Sequence, residues 1–485
     1  MNKLRSFYNT GTNLIYLLIL ILVLVTVVFW HNNPFMDMSP ALLLITGAGA
    51  AAMLSLLSYI VDRISFVRDN YRKIAFFLLI PYFAVIVVMA LKMQIVPRMN
   101  GWDFQIVARC AIDWRNGIRE LPAYFSMWGN NTPLLWIQAA FFKLMNTVGV
   151  TDYMSRLVIL NCVLITLSVL FTFLSADLLF KGPAALTAAL IAMVYPGLFL
   201  YGAIAYTDTF SLFFVSLALL FYTKARDSYE KNKSDTHWLV LFTAAVICGA
   251  VIKITVLILL IACSIDYIFT RSKKRIAHVL LGIAGVALTF ILTDIAKRPA
   301  RMERRPEIPF THWIMMGLEG DGGYNDDDYQ LVLSVPRERR ARFTRQEIMR
   351  RIEAKGLDGM AEHLKRKLGY IMSDGACYAP SKLDRGALRP HFIHEFIVET
   401  GRFSKVLYVF SDRLQLALIF FEALGTVREI RKQGRFSYIR LARTGIILFL
   451  LIWEARSRYL VNFLPLFFLS AGSGIPFIKH KEEER

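Results

Sequence analysis

The chain has 485 residues, of which 56% are hydrophobic and only 19% are charged, and its mean hydropathy is +0.46. A soluble protein is about 45–50% apolar and about 25% charged. Apolar runs recur along nearly the whole chain, and a run of about 18 residues or more is long enough to cross a bilayer as a helix. Composition therefore excludes a soluble enzyme with a single anchor and predicts a polytopic membrane protein.

The charge balance fits the same class of protein. Lys and Arg number 56 against 37 Asp and Glu, which gives a formal net charge of +19. Short cytoplasmic loops of membrane proteins accumulate Lys and Arg, so this excess does not indicate a nucleic-acid partner. The five cysteines have no CxxC spacing, which argues against a zinc site and a disulfide framework. Cys110 and Cys377 fall in polar stretches, where they could pair or be unrelated thiols.

Apolar runs predict twelve full membrane spans. The first has no small-residue cleavage site after it, so we interpret it as a retained span and not as a signal peptide. Basic clusters at 63–73, 224–233, 271–275 and 428–440 belong on the cytoplasmic side, together with both termini. In chain order the spans lie near residues 12–30, 41–61, 74–92, 132–147, 156–178, 207–223, 237–252, 254–270, 276–294, 406–427, 441–455 and 459–478.

The apolar segment 184–206 is interrupted by Tyr195-Pro196-Gly197. A single crossing there would move the 224–233 cluster to the outside, so we predict two half-helices that enter and leave on one side. Such backbone is tolerated only where protein or a cavity surrounds it. The predicted fold class is an all-α polytopic membrane protein of about 12–13 transmembrane helices with two large extracytoplasmic loops that carry short amphipathic helices. Its segments are an extra N-terminal hairpin (1–73), a membrane module (74–294) with the first outer loop (93–131), a large outer loop (295–405), and C-terminal helices with a cytoplasmic tail (406–485).

Two features stand out in the large outer loop. Thr344-Arg345-Gln346-Glu347 has the pattern of a capping box and predicts a helix start at Thr344, followed by a second short helix after Gly356. Upstream, Gly320–Asp328 is rich in glycine and aspartate. Carboxylate oxygens suit hard divalent cations, but the segment lacks the spacing of an EF-hand, so a solvated acidic turn is the alternative.

Two carboxylates are candidates for chemistry. Asp103 lies about ten residues after the third span, between Trp102 and Phe104. Partial desolvation at the membrane surface makes a carboxylate a better proton acceptor, as a general base requires. Asp208, in Tyr206-Thr207-Asp208-Thr209, lies at the outer mouth of a span, where ionisable residues are often functional. For both residues a helix cap is the alternative role.

Three cations are candidates for binding an anionic headgroup. Arg456 and Arg458 lie between the last two spans, on the predicted outer side, and Lys253 lies between two apolar runs on that side. Guanidinium groups match phosphate oxygens, and short outer loops normally avoid arginine. The alternative is that these side chains merely extend to the membrane interface.

The order of these motifs resembles that of GT-C-fold glycosyltransferases, of the bacterial kind similar to protein O-mannosyltransferases and lipid A aminoarabinose transferases. The similarity covers about residues 74–478. Two segments look like a Gram-positive cell-envelope branch: Thr311–Leu318 with Gly322–Asn325, and Ser373-Asp374-Gly375. The other motifs that carry the resemblance are Gly101-Trp102-Asp103-Phe104, Asn131-Thr132-Pro133-Leu134-Leu135, Arg156-Leu157, Pro196 before Tyr206-Thr207-Asp208, and Arg456-Ser457-Arg458-Tyr459.

This resemblance implies an integral membrane enzyme that moves one sugar from a polyprenyl-phosphate donor to an extracytoplasmic acceptor, such as a wall polysaccharide or a teichoic acid, with inversion. Asp103 matches the catalytic base and Asp208 the second acidic residue. Lys253, Arg456 and Arg458 would bind the donor phosphate. Trp102, His312, Asp321 and Tyr324 are candidate sugar or acceptor contacts. Phe104 stands where many members have an acidic residue, which leaves the need for a divalent cation open.

Two other classes of membrane protein remain. A lipid-linked glycan transporter or flippase would place its carboxylates near mid-membrane and in repeated halves, and no repeat is visible. An envelope polysaccharide polymerase or ligase would also use a polyprenyl lipid and outer arginines, but would transfer a glycan chain.

Overall fold

The computed structural model describes residues 2–30, 33, 38–180, 182–270, 275–298, 301–302, 308–430 and 435–476. The described chain is almost entirely α-helical, as predicted. Two-residue strands β1 (Glu120–Leu121) and β2 (Arg301–Met302) pair in parallel. Residues 271–274, 431–434 and 477–485 lie outside the described residues; they include most of the predicted basic cluster 271–275, a part of the cluster 428–440 and the end of the predicted C-terminal tail.

Long helices form the bundle, and short helices cover one end of it. The first thirteen are α1 (Asn2–Phe29), α2 (Pro40–Arg63), α3 (Ser65–Lys92), α4 (Asp103–Arg115), α5 (Tyr124–Met127), α6 (Thr132–Thr147), α7 (Tyr153–Leu179), α8 (Ala184–Val194), α9 (Pro196–Phe199), α10 (Thr207–Glu230), α11 (Thr236–Ile252), α12 (Leu257–Thr270) and α13 (Arg275–Lys297). The remainder are α14 (Thr311–Met316), α15 (Asp326–Ser334), α16 (Arg337–Met372), α17 (Ala379–Leu383), α18 (His394–Ile397), α19 (Ser404–Ile430), α20 (Ser437–Ile452) and α21 (Leu464–Gly472).

An all-α polytopic membrane fold is confirmed. The first eleven predicted spans fall on helices of the structure, whereas the last, 459–478, covers a short 3-10 segment, α21 and residues outside the described part of the chain. By length and composition, six helices of the described residues can cross a membrane, or seven if the bent pair around Tyr195 is one span. The predicted number of 12–13 is higher because it also counts shorter apolar helices such as α11 and α12. The six are α1, α2, α3, α7, α10 and α13.

Helix α6 was predicted to be a span, but its contacts place it across one end of the bundle. Its first residues adjoin Asn131, which bonds to the Tyr124 hydroxyl beside Asp103. Its last turn carries Asn146, whose side chain accepts hydrogen bonds from Arg115, at the end of α4, and from Tyr153, at the start of α7. Both ends of α6 therefore contact the same polar layer. We call this end of the bundle the Asp103 end.

The break predicted at Tyr195 exists, but the chain does not turn back there. Helix α8 and the segment Pro196–Ala203 meet at a bend of 63°. Before α8, Phe180 packs on Phe436 at the end of the bundle opposite Asp103. After the bend, the Tyr201 hydroxyl donates to the carbonyl of Cys377, in the large polar stretch that covers the Asp103 end. These contacts identify 184–203 as one broken crossing, so the prediction of a same-side return is wrong. One predicted crossing is lost at α6 and one is gained at 184–203. The total number of crossings therefore stays the same.

The N-terminal hairpin is integrated into the bundle, since α1 and α2 both pack along α19. Buried polar side chains fix α1 in the half of the bundle away from Asp103. The Tyr16 hydroxyl donates to Glu422, which also pairs with Arg443 at 2.9 Å. Nearby, Tyr8 bonds to Asp266, which is paired with Arg226. A buried charge is tolerated only when it is paired, so these contacts fix the register of α1 against its neighbours.

The large polar stretch folds into short helices that dock on the Asp103 end. Helix α16 begins at Arg337 and continues to Met372 with a break at Gly356, where φ is +57°. The predicted helix start at Thr344 is therefore wrong, and its hydroxyl instead bonds to Arg340 O and Thr311. The buried Lys367 amine donates to the carbonyls of Gly317 and Trp453, at 2.8 and 2.6 Å. These bonds join the polar stretch to the segment between α20 and α21.

Candidate functional site

Asp103 is the first residue of α4, and its side chain does not cap the helix. The exposed N–H of Trp102 is instead satisfied by the Gln105 side chain. The Asp103 carboxylate is one-third exposed, with Oδ1 accepting a hydrogen bond from the Tyr124 hydroxyl at 2.8 Å. Its Oδ2 lies 3.9 Å from Nη1 of Arg458. The two oxygens of this carboxylate thus face two different groups of side chains.

A chain of hydrogen bonds fixes the carboxylate. Asn131 donates to the Tyr124 hydroxyl, and its own Oδ1 accepts from the Tyr206 hydroxyl at 2.9 Å. Each tyrosine has one proton, and Tyr206 donates its proton to Asn131 Oδ1, so the amide NH₂ of Asn131 must be the group that donates to Tyr124. Tyr124 consequently donates to Asp103, which stabilises the ionised carboxylate. Burial and the Asp103 charge both raise the pKa of Tyr124, so this hydroxyl stays a donor.

Asp208 is fully buried in the first turn of α10 and also does not act as a cap. Lys253 Nζ lies 2.5 Å from Oδ1, and Lys382 Nζ lies 3.3 Å from Oδ2. Lys253 also contacts Asn462 at 3.4 Å and the ring of Tyr459. An ionised carboxylate between two ammonium groups is not a proton acceptor, so the geometry makes Asp208 the residue that holds these cations together.

Lys382 belongs to the site, and the sequence analysis did not select it. It lies on the short helix α17, is fully buried, and faces the ring of Tyr206 at 5.1 Å. Burial lowers its pKa to about 8, although the Asp208 charge opposes that shift. The sequence offered little signal for it, because Ala379–Leu383 is an ordinary mixed segment of the polar stretch. Only the burial of Lys382 in the fold shows that it needs an acidic partner.

Arg456 and Arg458 point to different neighbours. Arg458 donates to the hydroxyl of Tyr459, which in turn donates to Glu454 at 2.7 Å. The Arg456 guanidinium lies 4.6 Å from the ring centroid of Tyr378, and its buried Nε has no hydrogen-bond partner among the residues that the structure describes. That nitrogen is an available donor close to the site.

Trp102 lies in the same cluster as Arg456. Its ring stacks on that of Tyr378 with parallel planes and centroids 6.1 Å apart, and Arg385 covers it at 4.2 Å. Tyr378 and Cys377 have positive φ values of 60° and 54°. Backbone in this region costs free energy in non-glycine residues, and the surrounding contacts must compensate for it. The strained turn holds Tyr378 between Trp102 and Arg456.

Asp374 was quoted only as part of a motif, yet it anchors the arginine segment. Ser457, between the two arginines, donates to Asp374 at 2.6 Å. The backbone N–H groups of Ala376 and Tyr378 also bond to this carboxylate. Burial, and next the neighbouring Asp412, raise the pKa of Asp374 to about 6. Asp374 therefore couples the strained turn to the backbone that carries both arginines.

The remaining sequence candidates lie on the Tyr124 side of Asp103. Tyr324 is 40% exposed and its hydroxyl bonds to Asp326. His312 is buried against Tyr329, and burial lowers its pKa to about 4, so it is neutral. Asp321 lies in the glycine-rich turn before α15 and is partly exposed.

The predicted acidic loop does not assemble metal ligands. Asn325 caps α15, and Asp328 forms a two-oxygen pair with Arg351 at 2.6 and 2.7 Å. No group of three His, Cys, Asp or Glu side chains with metal-ligand geometry occurs in the described residues. Cys110 and Cys377 are both buried free thiols and do not pair with each other.

The structure thus brings Asp103, Asp208, Lys253, Arg456 and Arg458 to one end of the bundle, although they come from separate segments of the chain. A carboxylate fixed by a neutral donor lies beside a cluster of Lys and Arg in a partly buried, low-dielectric setting. Such a site can accept a proton at one point and stabilise developing anionic charge at another.

The comparisons with known proteins reveal the family. Residues 4–476 match the model of a family described as conserved hypothetical integral membrane protein. The chain belongs to that family. The match spans α1 through α21, so the N-terminal hairpin is part of the shared architecture. The description places the chain in a membrane and states no reaction. No curated protein and no solved structure matches the chain.

Proposed function

We propose that this integral membrane protein is a glycosyltransferase that moves one sugar from a polyprenyl-phosphate donor to a hydroxyl acceptor at the Asp103 end, outside the cytoplasm. The observation that carries the proposal is the 3.9 Å approach of Asp103 Oδ2 to Arg458 Nη1. This approach supports the proposal because a carboxylate that can accept a proton lies beside a guanidinium that can bind phosphate.

In the proposed reaction Asp103 acts as the general base. Asp103 takes the proton from the acceptor hydroxyl while that oxygen bonds to the anomeric carbon of the sugar. The bond from this carbon to the phosphate oxygen breaks on the opposite face, and the polyprenyl phosphate leaves with the electron pair. The configuration at the carbon inverts. General-base catalysis of this kind contributes about 10²–10⁴ in rate.

The leaving phosphate gains negative charge, which the arginines and lysines offset. Arg458 and the unpartnered Nε of Arg456 are available donors, whereas Lys253 and Lys382 are paired with Asp208. Three charges in the Asp208 group sum to +1, so this group still favours an anion. Prepositioned cations in a buried site stabilise charge more than the same groups in water.

Transfer of label from polyprenyl-phosphate hexose to cell-wall extract, by the purified protein in bilayer discs, tests the proposal. Asp103→Asn is expected to lower transfer by at least about 100-fold. Asp113→Asn, on the same helix and in a surface pair with Arg109, is the matched control and is expected to retain activity. Wild-type transfer by the Asp103→Asn variant would remove Asp103 from the role of base.

The same assay separates the transferase from a transporter. If the labelled sugar changes leaflet and keeps its bond to the lipid, the protein is a transporter and the proposal fails. Arg458→Ala is expected to weaken donor binding more than acceptor binding, because only the donor has the phosphate. Equal losses for the two substrates would contradict the proposed contact.

A further inference from the structure

Aromatic side chains form an arc that starts at the proposed base. The Tyr124 ring stacks on that of Trp128 with centroids 5.2 Å apart, and Trp128 stacks on Tyr329 at 5.4 Å. Tyr329 is followed by Tyr324 at 6.5 Å. We call these four residues the aromatic arc. Tyr124 and Trp128 are half-buried, Tyr329 is buried, and Tyr324 is 40% exposed.

The near end of the aromatic arc touches the proposed base, because the Tyr124 hydroxyl donates to Asp103 Oδ1 at 2.8 Å. At the far end the Tyr324 hydroxyl donates to Asp326 at 3.2 Å. Burial, and next the charge of Asp326, raise the pKa of Tyr324, so this hydroxyl stays protonated. The arc therefore runs from the base to an exposed, polar end.

Charge is distributed unequally on the two sides of Asp103. Oδ2 faces Arg458, and the cluster beyond it contains Arg456, Lys253 and Lys382. Oδ1 faces Tyr124 and the aromatic arc.

Three carboxylates lie close to Tyr324 in the chain. Asp321, Asp326 and Asp327 are within three residues of it, and none has an ion-pair partner in the described part of the chain. Two cations of the same polar stretch are committed, since Arg351 is paired with Asp328 and Lys367 is buried against backbone carbonyls. Exposed cations also occur nearby, at Lys297 against Gly129 and at Arg339 in the first turn of α16.

We infer that the aromatic arc and the three carboxylates bind a neutral carbohydrate as the acceptor, an inference that rests on the proposed glycosyl transfer. The C–H faces of sugar rings pack on aromatic side chains, which offer large apolar area with little loss of conformational freedom. Sugar hydroxyls donate to carboxylates, whereas a phosphate-bearing polymer is repelled by unpaired carboxylates. Donor phosphate and acceptor hydroxyl then approach Asp103 from opposite sides.

Binding to an array of neutral oligosaccharides and of phosphorylated forms of the same oligosaccharides tests the inference with the full-length protein in bilayer discs. We expect retention of neutral members and weaker retention of their phosphorylated forms. Trp128→Ala and Tyr324→Ala are each expected to weaken binding at least tenfold. Phe392→Ala removes an aromatic ring that is 71% exposed in the same polar stretch, so it is the control and is expected to bind as wild type.

One further variant and a folding control make the outcome decisive. The triple variant Asp321→Asn, Asp326→Asn and Asp327→Asn is expected to raise the retention of phosphorylated members towards that of neutral ones. Tyr324→Ala is at an exposed position, so its folding is checked by an unchanged melting temperature. Preferential binding of phosphorylated members, or no binding to any oligosaccharide, overturns the inference.

The experiments distinguish failure of the transferase proposal from failure of the neutral-acceptor inference. Asp103→Asn is expected to retain neutral oligosaccharides although it transfers no sugar. Transfer to a phosphate-rich acceptor by the wild type would preserve the transferase and refute the neutral acceptor. Oligosaccharide binding without any transfer would preserve the carbohydrate site and refute the transferase.

Discussion

Lys382 Nζ lies 3.3 Å from Asp208 Oδ2, and both side chains are almost completely buried. The two residues are 174 positions apart, one on a short helix of the large polar stretch and the other at the start of a bundle helix. This ion pair connects the covering layer to the bundle directly beneath the proposed site. Removal of either partner should therefore affect both the stability of the fold and the geometry of the site.

Asp208→Asn is expected to destabilise the protein by about 3–5 kcal/mol, because it leaves two buried ammonium groups without their carboxylate. Thermal unfolding in detergent measures the loss. Asp227→Asn is the control on the same helix, since Asp227 forms a surface pair with Lys231 and such pairs contribute about 0–1 kcal/mol. Equal destabilisation by the two substitutions would contradict a buried role for Asp208.

Sugar transfer is expected to decline as the pH rises above about 8, where Lys382 loses its proton. Burial lowers the pKa of Lys382 to about 8, so the ammonium group is charged at pH 7 and neutral at pH 9. Arginine remains protonated throughout this range. Lys382→Arg is therefore expected to move the alkaline limit of transfer upward. A pH–rate profile that ends at the same pH in both proteins would exclude Lys382 as its cause.

Asp374 should make stability depend on pH between about 4 and 6. Burial and the nearby Asp412 raise its pKa to about 6, above the value of about 3.9 in an unfolded chain. The folded state then binds more protons in this interval, so the contribution of Asp374 to stability falls as the pH rises through it. The full difference is roughly 3 kcal/mol.

Asp374→Asn removes that titration, and the melting temperature measured from pH 4 to pH 7 is expected to lose the corresponding slope. Asp384→Asn, in the same polar stretch and partly exposed, is the comparison and is expected to retain it. A wild-type slope in the Asp374→Asn variant would show that another group titrates there.

Lys367→Met should loosen the docking of the polar stretch on the bundle. The buried amine of Lys367 bonds to carbonyls on both sides of that contact, so its removal leaves Gly317 and Trp453 with unsatisfied oxygens, at about 1–3 kcal/mol for each buried group. Hydrogen exchange in residues 313–323 is expected to accelerate. Lys365→Met, whose amine pairs with the half-exposed Glu362, should leave that exchange rate near the wild-type value.

The spans and the proposed base were accessible from the sequence for a simple reason. A helix in a bilayer must be apolar over most of its length, so hydropathy identifies the segments before any fold is known. Asp103 was selected because a carboxylate between aromatic residues near a span end is partly desolvated, and because its motif matches the catalytic base of the family that the sequence resembles. The same reasoning failed at α6, which is apolar because it packs between α4 and the bundle, and hydropathy does not distinguish this burial from lipid contact.

Only the tertiary structure showed the direction of the chain after Tyr195 and the partners of the charged residues. The sequence located the break at Tyr195, but only the contacts of Phe180 and Tyr201 decided that the chain continues across the bundle. Similarly, the sequence suggested Lys253 as a phosphate ligand without indicating its protein partner, and the fold pairs it with Asp208.

Sequence alone determined that this protein is a helical bundle of the membrane, because the cost of exposing polar backbone to lipid acts on every span independently. The tertiary structure decided which charges meet: Asp103 and Arg458, far apart in the chain, approach within 3.9 Å. Contact between such distant groups depends on how helices pack, and local composition carries no record of that packing.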